Sequence, residues 1–344
     1  MTIMMKKPLI SIIIVNFNGK KWLKDCLSSL QKQSYTNYEI ILVDNNSNDG
    51  SIQFTKEKFP KVQLVKLSEN IGFAGGNNEG YKKAKGDYIL LLNNDTKVGK
   101  TFLSDFLKAF DEIPNLGIAQ SKIVLMDKDQ LDTCGGFWTS TSFLYYYGNF
   151  KNPDLPIYNK PFPVFTCKGA SVLIKREVIE KIGLFDERFW NYYEETDFCH
   201  RAWIAGWESW YWPKAVCEHA MGGTSLTFKN DFIQFHNFKN KLCSYLKNLS
   251  MFELIKTLPI FLILNMAIGT LWLFQGKWKH SIAIIKAIWW NIVHFSETMM
   301  KRRKIQESRK FSDSSIWQKV KKNPALSYYK YLFTDTLGLF SDKL

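Results

Sequence analysis

The chain has 344 residues, 46% of them hydrophobic, which is ample for a sizeable core, and a formal net charge of +14. That charge is lopsided: residues 1–228 carry 27 Lys/Arg against 25 Asp/Glu, and residues 229–344 carry 19 against 7. A nearly neutral globular part followed by a basic, aromatic-rich tail excludes a uniformly basic nucleic-acid binder, and suits anionic lipid headgroups better.

The first apolar run, residues 9–15, reads as a buried strand that ends in Asn16-Phe17-Asn18-Gly19. Trp22, Leu23, Cys26, Leu27 and Leu30 then recur at helical spacing. Residues 39–43 form a second strand that ends at Asp44-Asn45-Asn46, a helix follows up to Phe59-Pro60, and residues 62–65 form a third strand. Residues 70–80 are rich in Gly and Asn and read as a loop leading into a helix over 81–85. The run 88–92 is a fourth strand, stopping abruptly at Asn93-Asn94-Asp95-Thr96. Such strand–helix alternation predicts a parallel, doubly wound sheet. Beyond it come a helix over 102–110, a strand over 118–125, an irregular aromatic stretch over 127–163, a strand over 164–174 and a short helix over 177–182. Glu194, Glu195 and Asp197 precede a helix through 201–205, and Cys217-Glu218-His219 stands before Gly222-Gly223-Thr224-Ser225. In the tail, residues 258–274 and 281–295 are apolar and carry Trp and Lys, and Lys301-Arg302-Arg303-Lys304 follows. With Pro259 shortening the first stretch, in-plane membrane helices are expected rather than a span, the basic run meeting the headgroups.

In an open α/β sheet, ligands sit beyond the carboxyl ends of the strands. Asn16, Asn18, Asp44, Asn46, Asn94 and Asp95 all fall there, and Asn77 lies in the Gly-rich stretch. Carboxylates and amides at that rim suit a nucleoside diphosphate, Asp44 accepting from base or ribose and Asp95 holding a hard cation, Mg²⁺ or Mn²⁺. No Walker A sequence and no GxGxxG after the first strand is present, which weakens NTPase and dinucleotide readings. Adjacent Glu194 and Glu195 repel, so one gains a raised pKa fit for a general base. A neutral His219 could complete the metal shell. Six cysteines without CxxC spacing, and residues 1–8 unlike a signal peptide, predict a reduced, cytoplasmic protein.

Taken in order and spacing, the stretches 11–19, 43–51, 70–80, 91–96, Gly169-Ala170, 183–187 and 193–201 resemble the family 2 glycosyltransferases of GT-A fold, most of all bacterial rhamnosyltransferase-like enzymes. The resemblance covers about residues 8–225. It implies a Rossmann-like mixed sheet over 1–228 with a helical, membrane-associating extension over 229–344. It implies that Asp44 contacts the nucleotide base and that Asn16, Asn18 and Asn77 line its pocket. Asp95 falls at the last position of the family's Asp-x-Asp metal motif, His219 at a further ligand, and Glu195 at the catalytic base. Two positions depart from the family pattern. Asn93 opens the metal motif in place of Asp, and Glu195 stands where Asp is usual, leaving Glu194 and Asp197 as alternative bases.

The implied reaction is inverting transfer of a sugar from a nucleoside diphosphate donor, dTDP- or UDP-linked, to a glycan or polyprenyl-linked saccharide in cell-surface polysaccharide synthesis. The enzyme is expected at the inner face of the cell membrane, with homodimerisation left open. The rival readings are a sugar-phosphate nucleotidyltransferase, which would want a basic Gly-rich loop after the first strand, a non-catalytic glycan- or lipid-binding scaffold, and a processive polymerase.

Overall fold

The computed structural model describes residues 7–220, 230–326, 328 and 329. The chain runs β1 (Ile10–Asn16), α1 (Lys20–Gln31), β2 (Tyr38–Asp44), α2 (Ser51–Lys58), β3 (Gln63–Lys66), α3 (Gly72–Lys83) and β4 (Tyr88–Leu92). It continues through β5 (Thr96–Val98), α4 (Phe102–Glu112), β6 (Leu116–Leu125), β7 (Leu131–Thr133), β8 (Gly136–Phe137), β9 (Tyr145–Tyr146), β10 (Phe162–Pro163), β11 (Ser171–Lys175), α5 (Arg176–Ile182), α6 (Glu194–Ile204) and β12 (Glu208–His219). Five helices close it: α7 (Asn230–Asn248), α8 (Met251–Phe274), α9 (Trp278–Val293), α10 (Phe295–Glu307) and α11 (Asp313–Val320).

The main sheet has the order β10-β12-β6-β11-β4-β1-β2-β3, with β5 on β12 and β7 on β6. β1 lies parallel between β2 and β4, and β3 extends β2 in parallel. The remainder is mixed, because β11 runs antiparallel to both β4 and β6. Alternate residues of β1 explain why its sequence is continuously apolar. Ile12 and Ile14 pack among Leu27, Leu30, Phe102 and Phe106 on one face, while Ile13 packs with Ile41, Val43 and Leu91 on the other.

Three expectations change. The Gly/Asn-rich stretch is helical from Gly72 onward, not a loop. Its small residues serve close packing on the sheet: a Cβ on Gly76 would lie 2.8 Å from Val15 Cγ1, and one on Gly80 would collide with Ile13. Of the expected strand over 164–174, only the part from Ser171 onward is regular strand, β11; the stretch before it is irregular, and β10 ends at Pro163. The helix of the first apolar tail stretch, α8, runs through Pro259 and is 24 residues long. It is long and apolar enough to cross a membrane, with 33% of its most apolar window buried.

The tail helices complete the core. Leu242, Tyr245, Phe261 and Trp317 join Trp138, Phe165, Phe189 and Trp203 in one hydrophobic cluster, and the Trp317 ring stacks on Trp138 at 4.6 Å. Buried Lys247 reaches Asp186 at 2.7 Å and Asp197 at 3.1 Å. Part of the basic run also turns inward: Lys301 bonds Asp186 at 2.8 Å and Arg302 donates to the Leu246 carbonyl. The 228/229 boundary and the stretch Gly222-Gly223-Thr224-Ser225 lie outside the described residues.

Candidate active site

Strand register brings the first group together. Asn16 and Asp44 are partners at the ends of β1 and β2. The buried Asn16 amide donates to Asp44 Oδ1 at 3.2 Å and to the Ser47 hydroxyl at 3.1 Å, while its Oδ1 accepts from Asn94 at 2.7 Å. Asp44 Oδ2 accepts the Ser47 N–H at 2.9 Å. Asn18 and Asn46, both at positive φ, are exposed at the rim. Asn77 is buried on α3, and its amide donates to the Phe73 carbonyl one turn earlier rather than to the strand-end amides. Asn45, which sequence reasoning passed over, ties β2 to α3: it donates to the Gly72 carbonyl and accepts from Ile71 N–H, each at 3.0 Å.

The second group forms where β5 pairs with β12, a register that sets His219 opposite Thr96 and so beside Asp95. His219 Nε2 lies 3.2 Å from Asp95 Oδ1 and 3.4 Å from the Asn93 amide. Its Nδ1 lies 2.8 Å from Asp132 Oδ2, and Lys168 Nζ approaches Asp132 Oδ1 at 3.6 Å. Burial disfavours the imidazolium, but Asp132 and Asp95 outweigh it and raise His219 to about 9. Burial likewise opposes the Asp132 anion, yet Lys168 and His219 hold it at about 2. An imidazole fixed through Nδ1 by a carboxylate, with Nε2 turned to a second carboxylate, is the arrangement metal-binding histidines use. The donor set therefore fits a divalent cation. Among the described residues no cluster of three or more His, Cys, Asp or Glu ligands occurs. Asp95 and His219 would thus need phosphate and water oxygens to fill the shell. Asp132 was missed in the sequence because a lone acid in an irregular aromatic stretch carries no spacing signal.

The third group sits at the start of α6, entered through Tyr192 and Tyr193, both at φ +71°. Glu195 is half-buried, and its Oε1 accepts the Gly169 N–H at 3.0 Å. A Cβ on Gly169 would run into Oε1 and lie 2.9 Å from Glu195 Cγ, so any larger residue would push the Glu195 carboxylate from its place. Glu194 is fully buried and, among the described residues, its Oε2 has no hydrogen-bond partner. Burial, reinforced by Glu195, pushes Glu194 well above the carboxylate range. Burial raises Glu195 too, against the pull of Lys168 and the Gly169 N–H. Asp197 is engaged by Arg201 at 2.9 Å, Asn248 at 2.9 Å and Lys247, and sits at about 2, which removes it as a base.

One short segment links the second and third groups. Lys168 reaches Asp132, Gly169 holds Glu195, and the Ala170 carbonyl accepts Asn93 N–H at 3.0 Å. Glu195 and the Asp95–His219 pair are therefore tied to the same three-residue segment. Tyr146 belongs here as well: burial and then the charges of Glu195, Glu194 and Asp132 raise its phenol.

A family model described as glycosyl transferase family 2 matches residues 11–183. An N-acetylglucosaminyl-diphospho-decaprenol L-rhamnosyltransferase of Mycobacterium tuberculosis (strain CDC 1551 / Oshkosh) is 23% identical over 234 residues, covering 60% of this chain and 75% of that protein. Among solved structures, TarS 1-349 of S. aureus aligns with a TM-score of 0.55 at 16% identity, over 87% of this chain and 90% of that one. The mannosyltransferase PcManGT of Pyrobaculum calidifontis, solved with GDP-Man and Mn²⁺, aligns at 0.52 and 14% identity, over 88% and 86%. The structural likenesses show the fold, which is GT-A with a mixed sheet.

Proposed function

The chain belongs to glycosyl transferase family 2, whose work here is sugar transfer in cell-surface glycan synthesis, and on that premise we propose an inverting, cation-dependent transfer from a nucleoside diphosphate sugar to a lipid-linked saccharide. The observation that supports this most is the segment 168–170, which links the Glu195 carboxylate, through Lys168, Asp132 and Asn93, to the Asp95–His219 pair.

Asp44, braced by Asn16 and the Ser47 N–H, receives the nucleotide end of a UDP- or dTDP-sugar. Asp95 and His219 would hold a divalent cation, which when bound would supply charge neutralisation at the departing diphosphate. Glu195 accepts the proton of the acceptor hydroxyl. The freed oxygen forms its bond to the anomeric carbon as the bond to the diphosphate oxygen breaks on the opposite face. Neutral Glu194 behind it keeps a second negative charge from that spot.

Glu195→Gln is expected to lower transfer by about 10²–10⁴-fold, the usual worth of a positioned base, with donor affinity retained. Asp95→Asn is expected to remove the cation-dependent part. Donor calorimetry beside product analysis checks both, and full transfer by Glu195→Gln would strike it from the role. The acceptor is proposed at the cytoplasmic membrane face, because α8 and α9 turn Ile255, Ile263, Leu273, Ile285, Trp289 and Ile292 outward.

A further inference from the structure

Lys241, on α7, is a cation without an anion. Its Nζ lies 4.3 Å from the Phe143 ring and 5.7 Å from the Phe261 ring. It is half-buried and, among the described residues, no ion pair or hydrogen bond meets its ammonium. The other half-buried or buried lysines of this helix have oxygen partners, Lys239 in the Arg188 carbonyl and Lys247 in Asp186 and Asp197. Burial alone pushes Lys241 down to about 7, a cost that an incoming anion would offset.

Its surroundings say which anion. One wall, Phe261, belongs to α8, and the other, Phe143, packs against Ile268, Trp272 and Ile284 of α8 and α9. Those two helices carry the outward apolar face on their other sides. From Phe143 the chain reaches Tyr146 in three residues, at most about 10 Å, and Tyr146 lies beside the Glu194–Glu195 pair. An ammonium in an aromatic seat therefore packs against the two helices with apolar outer faces, and its Phe143 wall is a short stretch of chain from Tyr146 and the Glu194–Glu195 pair.

We propose that Lys241 is the seat for the phosphate of a lipid-linked acceptor, with the lipid chain along α8 and α9 and the first sugar directed past Tyr146 to Glu195. This rests on the glycosyl-transfer reading and adds to it the phosphate-bearing end of the acceptor. No bond is made or broken at Lys241; it is a positioning residue.

The test is binding of farnesyl diphosphate against farnesol in EDTA, which keeps divalent cations from drawing the diphosphate to Asp95 and His219. Lys241→Met retains the apolar stem. It is expected to weaken farnesyl diphosphate at least tenfold and farnesol less than twofold, and Lys241→Arg is expected to restore most of the loss. Equal weakening of both ligands, or none, overturns the proposal. Sedimentation with phosphatidylglycerol vesicles separates the sources: unchanged vesicle binding by Lys241→Met supports an acceptor phosphate, and release from vesicles assigns Lys241 to bulk headgroups and overturns it. Should Lys241→Met not fold, the wild type decides, since equal affinity for farnesyl diphosphate and farnesol also overturns it. Wild-type sugar transfer to a soluble glycoside, measured in parallel, reports on the underlying reaction independently.

Discussion

At Gly169 a missing side chain sets the position of a catalytic candidate. The Gly169 N–H holds Glu195, and the space a Cβ would take is filled by the Glu195 carboxylate and Cγ. Gly169→Ala is therefore expected to cut turnover at least tenfold while shifting the melting temperature only slightly, read by steady-state kinetics beside calorimetry. His219 yields a pH prediction. Its folded pKa of about 9 stands above the ordinary 6.5. In the metal-free protein the stability it lends is whole below pH 6.5 and is lost as the pH rises through 9. A divalent cation must displace that proton, so Mn²⁺ affinity should increase with pH over the same window. Calorimetric titration at the two ends checks this, and a flat profile would remove His219 from the ligand set. Asp132→Asn should lower the pKa and move the window down.

Among the elements, α7 carries the most unexpected load. The charges of the tail read as a surface for lipid headgroups in one dimension, because burial is not visible in composition. In three dimensions Lys247 lies between Asp186, beside the loop before α6, and Asp197, on α6 itself. Removing one partner of a buried ion cluster typically costs 3–5 kcal/mol. Lys247→Met should lower the unfolding free energy by about that amount in denaturant titrations, and loosen α6 with it. The helix α3 was illegible for a different reason. Gly and Asn are poor helix formers, so propensity argued for a loop, whereas Gly76 and Gly80 let the helix approach Val15 and Ile13. The four parallel strands were plain from their apolar runs. The reversed direction of β11 was not, since a buried strand has the same pattern whichever way it points.

Across the whole molecule, the strand-end residues Asn16, Asp44, Asn94 and Asp95 were readable because their strands stop sharply at polar groups. Asp132 and Tyr146, on the short strands β7 and β9, and Lys168, just before β11, come from distant parts of the chain, where sequence distance says nothing about proximity. The outward faces of α8 and α9 make a prediction at this scale. Ile263→Glu together with Trp289→Glu is expected to release the protein from anionic vesicles and leave transfer to a soluble acceptor intact. Co-sedimentation checks it, and undiminished pelleting would argue against a bilayer on that face.

The Asn16 side chain has an implication for changing donor preference. It bonds Asp44 through its nitrogen and Asn94 through its oxygen, one residue from Asp95. On the proposed roles of Asp44 and Asp95, base selection and cation seating would share a single hinge pin. A redesign that swaps Asp44 to admit another nucleotide would tilt that pin and disturb the diphosphate end, so altered donor choice would need paired changes at both ends of Asn16.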